Sequence, residues 1–196
     1  MNKNTLARRL LLQAPLMTLL ALFAMHAEAA AQEKLAEPSL LQRDGSRDFD
    51  FEFGEWTAHI SRLQSPLSGA DDWAEYEGTS VVRKVWNGRA NLGELDVAGP
   101  AGSIRGLSLR TWNPETRQWY ISWANSRSGK VGRPMVGGFT NGIGEFYNQE
   151  MFDGRYVFVR FIFSDITENT FRLEQAFSAD GGKTWEPNWI ARFRKR

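Results

Sequence analysis

The chain has 196 residues, with 24 Lys or Arg against 23 Asp or Glu, and a formal net charge of +1. It has no cysteine, which excludes disulfides, thiolate metal sites, cysteine nucleophiles and a lipid-modified cysteine anchor. Its two histidines are His26 and His59, which leaves no material for a multi-histidine metal motif or relay once the N-terminus is removed.

The N-terminus has the three parts of a secretory signal peptide. Lys3, Arg8 and Arg9 form a positive start, Leu10 to Met25 is apolar apart from Gln13 and Thr18, and Ala27-Glu28-Ala29 supplies small residues for cleavage. The apolar run is short and broken by Pro15, so it is expected to be removed rather than to stay as an anchor. Ala29-Ala30-Ala31 offers a second cut. Residues 1–29 are read as the signal, which places the mature protein in the periplasm or outside the cell. Loss of Lys3, Arg8, Arg9 and Glu28 leaves 21 basic and 22 acidic residues. That balance predicts no nucleic-acid partner and no stable membrane insertion after cleavage.

Residues 30–48 form a polar lead-in containing Pro38, and residues 49–196 form the folded domain. From Phe49 onward aromatic and β-branched residues alternate with polar ones between turn residues, the signature of strands. Ten are expected, near Phe51–Ser61, Trp73–Trp86, Ala90–Leu95, Ser103–Trp112, Gln118–Ala124, Met135–Thr140, Gly144–Met151, Arg155–Asp165, Thr170–Ser178 and Thr184–Phe193. Asn87-Gly88 and Asp153-Gly154 suit type I′ hairpins, and Asn141-Gly142 and Asp180-Gly181-Gly182 are further turn signals. Leu63–Asp72 is the one longer loop, placed to cover a barrel mouth. A meander of about ten short-linked strands removes its edges by closing, so the expected fold is all-β, an up-and-down antiparallel barrel; a two-sheet sandwich is the alternative.

Three sets of residues are candidates for chemistry. Ser178-Ala179-Asp180-Gly181-Gly182-Lys183-Thr184-Trp185 matches an Asp-box hairpin, in which the Asp180 carboxylate accepts turn N–H groups and Trp185 packs beneath. With a single copy, Asp180 reads as a turn residue and not a catalyst. In the second set, the turn at Asp153-Gly154 pairs Tyr147 with Arg160 and Gln149 with Phe158, so these four and Ile162 share one face. Arg160 then stands opposite Glu174 or Gln175, according to register. If that face is interior, Arg160, Glu174, Tyr147, Gln149, Phe158 and Glu145 form a polar grip for a ligand. If it is exterior, Arg160 and Glu174 are an ordinary cross-strand or supporting pair.

The third set is aromatic. Trp119 and Trp123 share parity on one strand, and Trp185 and Trp189 on another. Trp123 is a candidate ligand platform, against the commoner use of tryptophan to close a core. His59 shares a face with Glu55 but has no nucleophile beside it, and Gly137-Gly138 and Gly142-x-Gly144 lack the strand-then-helix setting of a phosphate loop. No motif points to a metal or cofactor.

Several segments together resemble a bacterial secreted domain family of unknown function with a lipocalin/calycin-like β-barrel. They are Phe49-Asp50-Phe51-x-x-Gly54-Glu55-Trp56, Leu109-Arg110-x-Trp112-Asn113-Pro114, Gly138-Phe139-x-Asn141-Gly142-x-Gly144-Glu145-Phe146, Arg160-Phe161-x-Phe163-Ser164, and Glu174-Gln175-Ala176-Phe177-Ser178 running on to Trp185-x-x-Asn188-Trp189. The resemblance covers about Phe49 to Arg194. It implies a lipocalin/calycin-like barrel and carries over no activity. The expected function is binding of a small amphipathic or hydrophobic ligand in the barrel. A cofactor-free isomerase, lyase or hydrolase built on the Arg/Glu/Tyr set, and an envelope interaction module with a filled barrel, are the alternatives. Whether a reaction is catalysed, and the oligomeric state, stay open.

Overall fold

A computed structural model describes residues 44–196. The expected signal peptide and most of the polar lead-in lie outside the described residues. The compact unit of the barrel begins at Gly45, so the last residues read as lead-in belong to the barrel's own packing.

Ten antiparallel strands follow one another. They are β1 (Gly54–Leu63), β2 (Trp73–Val85), β3 (Ala90–Gly99), β4 (Gly102–Asn113), β5 (Gln118–Asn125), β6 (Met135–Thr140), β7 (Ile143–Phe152), β8 (Arg155–Ser164), β9 (Thr170–Ser178) and β10 (Glu186–Lys195). Each pairs with its sequence neighbours, and β1 also pairs with β10, which closes the ring. Trp56 on β1 stands opposite Ser80 on β2 and Lys195 on β10. Closure gives every strand two partners; β6 is the short one, pairing with β5 over Trp119–Ile121 and with β7 over Ile143–Tyr147.

The turns hold the register. Phe152 pairs with Arg155 across Asp153-Gly154, and Thr140 with Ile143 across Asn141-Gly142. All four turn residues have positive φ, as a two-residue type I′ turn requires. Asn87-Gly88 differs. The last pair is Val85 with Ala90, so the connection is four residues, and Trp86, Asn87 and Gly88 all take positive φ. Two connections are long rather than one: Gln64–Asp72, and the β5–β6 loop from Ser126 to Pro134, pinned by Gly132 N–H to the Trp123 carbonyl. Asp180 organises the β9–β10 connection. Its carboxylate accepts from the Ser178 hydroxyl, the backbone N–H of Lys183 and Thr184, and the Thr184 hydroxyl at 2.7–3.0 Å. These bonds hold its pKa well below the usual carboxylate range, the Thr184 amide contributing most.

One end of the barrel is plugged. The segment from Gly45 runs through a single 3-10 turn, Asp50–Glu52, into β1. Phe49 is fully buried there, edge-on to Trp119 and Phe139 at 5.0 Å and to Phe163 at 5.3 Å. The indole N–H of Trp119 donates to the Gly45 carbonyl at 2.8 Å, and that of Trp56 to the Glu52 carbonyl at 2.7 Å. Burying several large rings at one end stabilises the fold by roughly 1.5–3 kcal/mol per side chain.

Candidate functional site

Period-2 alternation in β1 to β4 turns Ala58, Gly78, Ser80, Gly93, Gly106 and Ser108 to the inside. The inward positions of β5 to β10 carry Trp119, Trp123, Phe146, Phe161, Phe163, Phe171, Trp189 and Phe193. The inward positions of β1 to β4 thus mix these small residues with Trp56, Ile60, Tyr76 and Trp112, whereas those of β5 to β10 are mostly aromatic. The interior holds a cavity of about 380 Å³, lined among others by Tyr76, Ser80, Leu95, Ser108, Trp123, Val159, Phe161 and Trp189. Its lining continues to Ala101, Ser103, Arg127, Gly132 and Arg133, which are exposed at the end opposite the plug. Its size lies within the range of small-molecule sites, roughly 300–1,000 Å³.

Arg110 lies toward the plugged end of this cavity. Its Nη1 is 2.8 Å from Glu52 Oε2, its Nη2 donates to Glu52 Oε1 at 3.2 Å, and Nη1 also donates to Asn91 Oδ1 at 2.9 Å. The guanidinium sits 5.0 Å from the centre of the Phe49 ring. Gly93 makes the space: an added Cβ would fall 3.2 Å from Arg110 Nη1. Glu52 is 1% exposed, and burial pushes its pKa up to about 7 although Arg110 opposes the shift. Burial likewise lowers the pKa of Arg110, with Glu52 opposing. Desolvation outweighing Coulomb attraction is the expected balance for a pair removed from water. Farther up the cavity, Glu150 on β7 also has its pKa raised by burial.

The Arg160 set is not in the cavity. Val157, Val159, Phe161 and Phe163 take the inner face of β8, so Phe158, Arg160 and Ile162 face outward. Their partners Gln149, Tyr147 and Glu145 face outward with them. This corrects the interior orientation considered from the sequence. The register is also resolved differently: Arg160 stands opposite Ala176, and Glu174 opposite Ile162. The physical reason is that β8 is apolar on both faces, and the barrel buries the face with no charge. Outside, Arg160 lies over the Trp185 ring at 4.6 Å, with Glu174 Oε1 3.9 Å from its Nη2. Glu174 binds Arg172 more closely, at 2.6 Å. The Tyr147 hydroxyl donates to Glu145 at 3.0 Å. Burial, then that hydrogen bond, raises the Tyr147 pKa.

Of the seven candidate residues, Trp123 alone lines the cavity. Trp119 shares its inward face, as parity requires, but is sealed at the plugged end. Trp185 and Trp189 do not share a face. A register shift between Pro187 and Trp189 inserts Asn188 as a bulge, which sends Trp185 outside and Trp189 inside. His59 is on the outer face between Glu75 and Glu77, at 3.0 and 3.3 Å. The sequence reading missed Glu52, Arg110 and Glu150 as interior polar groups. Arg110 carries no local signal: it shares parity with Trp112, Ser108, Gly106 and Ile104, and Leu107 and Leu109 on the other face disguise which face is inner.

No protein-family model matches the chain, and no curated protein sequence matches it. Among solved structures, an S-type phycobiliprotein lyase from Guillardia theta superposes with a TM-score of 0.53 at 9% identity, over 76% of this chain and 90% of that one. A redesigned β-barrel bound to DFHBI gives a TM-score of 0.43 at 9% identity, over 76% of this chain and 99% of that one. At such identities the likeness to the lyase is one of fold, a closed antiparallel β-barrel.

Proposed function

We propose that the protein is a secreted or periplasmic member of a bacterial barrel family that carries a small amphipathic or hydrophobic ligand in its lumen. The observation that carries this reading is the cavity of about 380 Å³, lined by aromatic and aliphatic side chains with Ser80, Gly93 and Ser108 among them. A flat or flexible apolar body would rest against the Trp123, Phe161 and Trp189 side, with Ser80 and Ser108 across from it. The phycobiliprotein lyase shares this barrel fold, which accords with this use of the architecture. Secretion rests on the N-terminal signal pattern.

The enzymatic alternative loses its original residues, because Arg160, Glu174, Glu145 and Tyr147 are on the outer face. An interaction module with a filled barrel accords poorly with an open lumen.

Titration of the full chain with lipid extract and a panel of aromatic and alkyl acids, followed by tryptophan emission, tests the proposal. Quenching or a spectral shift is expected, and Ser80→Phe, which fills the lumen, should abolish it. No response across the panel, or a response untouched by both Ser80→Phe and a second filling variant, Ser108→Leu, would defeat it.

A further inference from the structure

The mouth of the lumen carries three arginines. Arg62 is the inward position at the far end of β1, between Ala74 and Trp189. Arg127 and Arg133 belong to the β5–β6 loop, and all three line the cavity. Strand order places β6 five strands from β1 in either direction, so Arg62 stands across the mouth from that loop. Arg127 is anchored by donation to the Ser103 carbonyl at 2.9 Å, and Asn148 Nδ2 donates to the Arg133 carbonyl at 3.3 Å. Arg105, Arg110, Arg160 and Arg172 each have a carboxylate within ion-pair distance. The three mouth arginines have none among the described residues. The carboxyl side chains of the lining are Glu150, on β7, and Glu94, whose register with Val81 and Leu107 turns it outward.

We infer that this rim is an anion-recognition site, and that the lumen takes ligands with an apolar body and one anionic group held at the mouth by Arg62, Arg127 and Arg133. The inference rests on the lumen being the ligand site. Guanidinium groups are weakly hydrated and present forked donors matched to carboxylate, sulfonate or phosphate oxygens. A low-dielectric cleft concentrates the field of its charges, and this opening carries three guanidinium groups against the one inward carboxyl, Glu150. The interior beyond the rim offers aromatic and aliphatic surface, with Arg110 already engaged by Glu52 and Asn91. An entering amphiphile is thereby oriented tail inward and anion outward.

Two probes with one carbon skeleton separate the anion from the body. They are 8-anilinonaphthalene-1-sulfonate and uncharged N-phenyl-1-naphthylamine, whose emission rises on entering an apolar site. Both are titrated into the full chain, into Arg62→Gln and Arg133→Gln, and into lumen-filled Ser80→Phe. The ratio of sulfonate to neutral-probe affinity should fall by about five- to tenfold in each arginine variant, the effect of losing one charge-assisted contact. It should also fall as salt is raised. Neutral-probe affinity should stay as in the wild type. An unchanged ratio in both variants overturns the anion site while leaving the lumen reading intact. Failure of both probes to bind in a manner sensitive to Ser80→Phe overturns the lumen reading and the anion site with it.

Discussion

Gly106 on β4 and Trp123 on β5 share one space inside the barrel: a Cβ at position 106 would fall 2.1 Å from Cζ2 of the Trp123 ring. Gly106 has no positive φ, so its side-chain absence serves the ring and not the backbone. The indole lies over the bare strand, which leaves lumen volume where the ring would otherwise project. Gly106→Ala is therefore expected to displace Trp123, at a cost of about 1–3 kcal/mol of stability as overpacking, and to lower lumen-probe affinity. Denaturant unfolding and tryptophan emission read the two effects separately. Wild-type affinity with unaltered emission would show that the ring does not depend on this glycine.

The buried pair at the plugged end predicts an unusual pH dependence. Glu52 has an ordinary pKa of 4.5 and a folded value near 7. Between these values the folded state binds more protons than the unfolded one, so stability contributed through this group falls as pH rises from about 4.5 to 7. Glu52→Gln fixes the neutral form and should remove that slope. The difference in unfolding free energy between wild type and variant should change by on the order of 1–3 kcal/mol across this window, in the variant's favour at the upper end. A difference that is flat with pH would mean that Glu52 is not desolvated as its surroundings imply.

Asp180 predicts the opposite slope at lower pH. Its folded pKa is depressed below 3.8, so its stabilisation is present above that value and is lost as pH falls through the folded pKa. Asp180→Ala should lower the thermal midpoint at neutral pH and lose its effect in strong acid. Faster proteolytic cutting between Ser178 and Glu186 is the local readout. A variant as resistant as wild type would show that Ser178 and Thr184 hold the turn alone.

Arg160→Gln separates the outer face from the lumen. It removes the guanidinium from the Trp185 ring, worth about 0.5–2 kcal/mol of stability for a partly desolvated contact. Neutral-probe binding in the lumen should be unchanged. A marked loss of lumen affinity with stability preserved would contradict the outward orientation of this side chain.

The strand count, the all-β class and the Asp153-Gly154 and Asn141-Gly142 hairpins were legible because they are local. A two-residue turn fixes its φ values and its register without reference to the rest of the chain. Cross-strand partners such as Tyr147 with Arg160 follow from that register alone. Pairing, however, does not say which face is inside. On β8 the clue was available in Val157, Val159, Phe161 and Phe163, an unbroken apolar set opposite the set containing Arg160, and burial of a charge costs more than exposure of Phe158 or Ile162. On β4 no such clue exists, since Arg110 lies on the same face as Trp112, and Leu107 and Leu109 on the other.

The amino-acid sequence by itself determined where the chain turns, how many strands it makes and which neighbours pair, because these depend on residues a few positions apart. Only the tertiary structure decided that Arg110 lies inside, that Asn188 bulges to send Trp185 and Trp189 to opposite faces, and that three arginines from β1 and the β5–β6 loop share one mouth. Those outcomes depend on ring closure. It brings residues from opposite sides of the sheet to a common lumen, and it ranks the two faces of every strand by the summed cost of desolvating them.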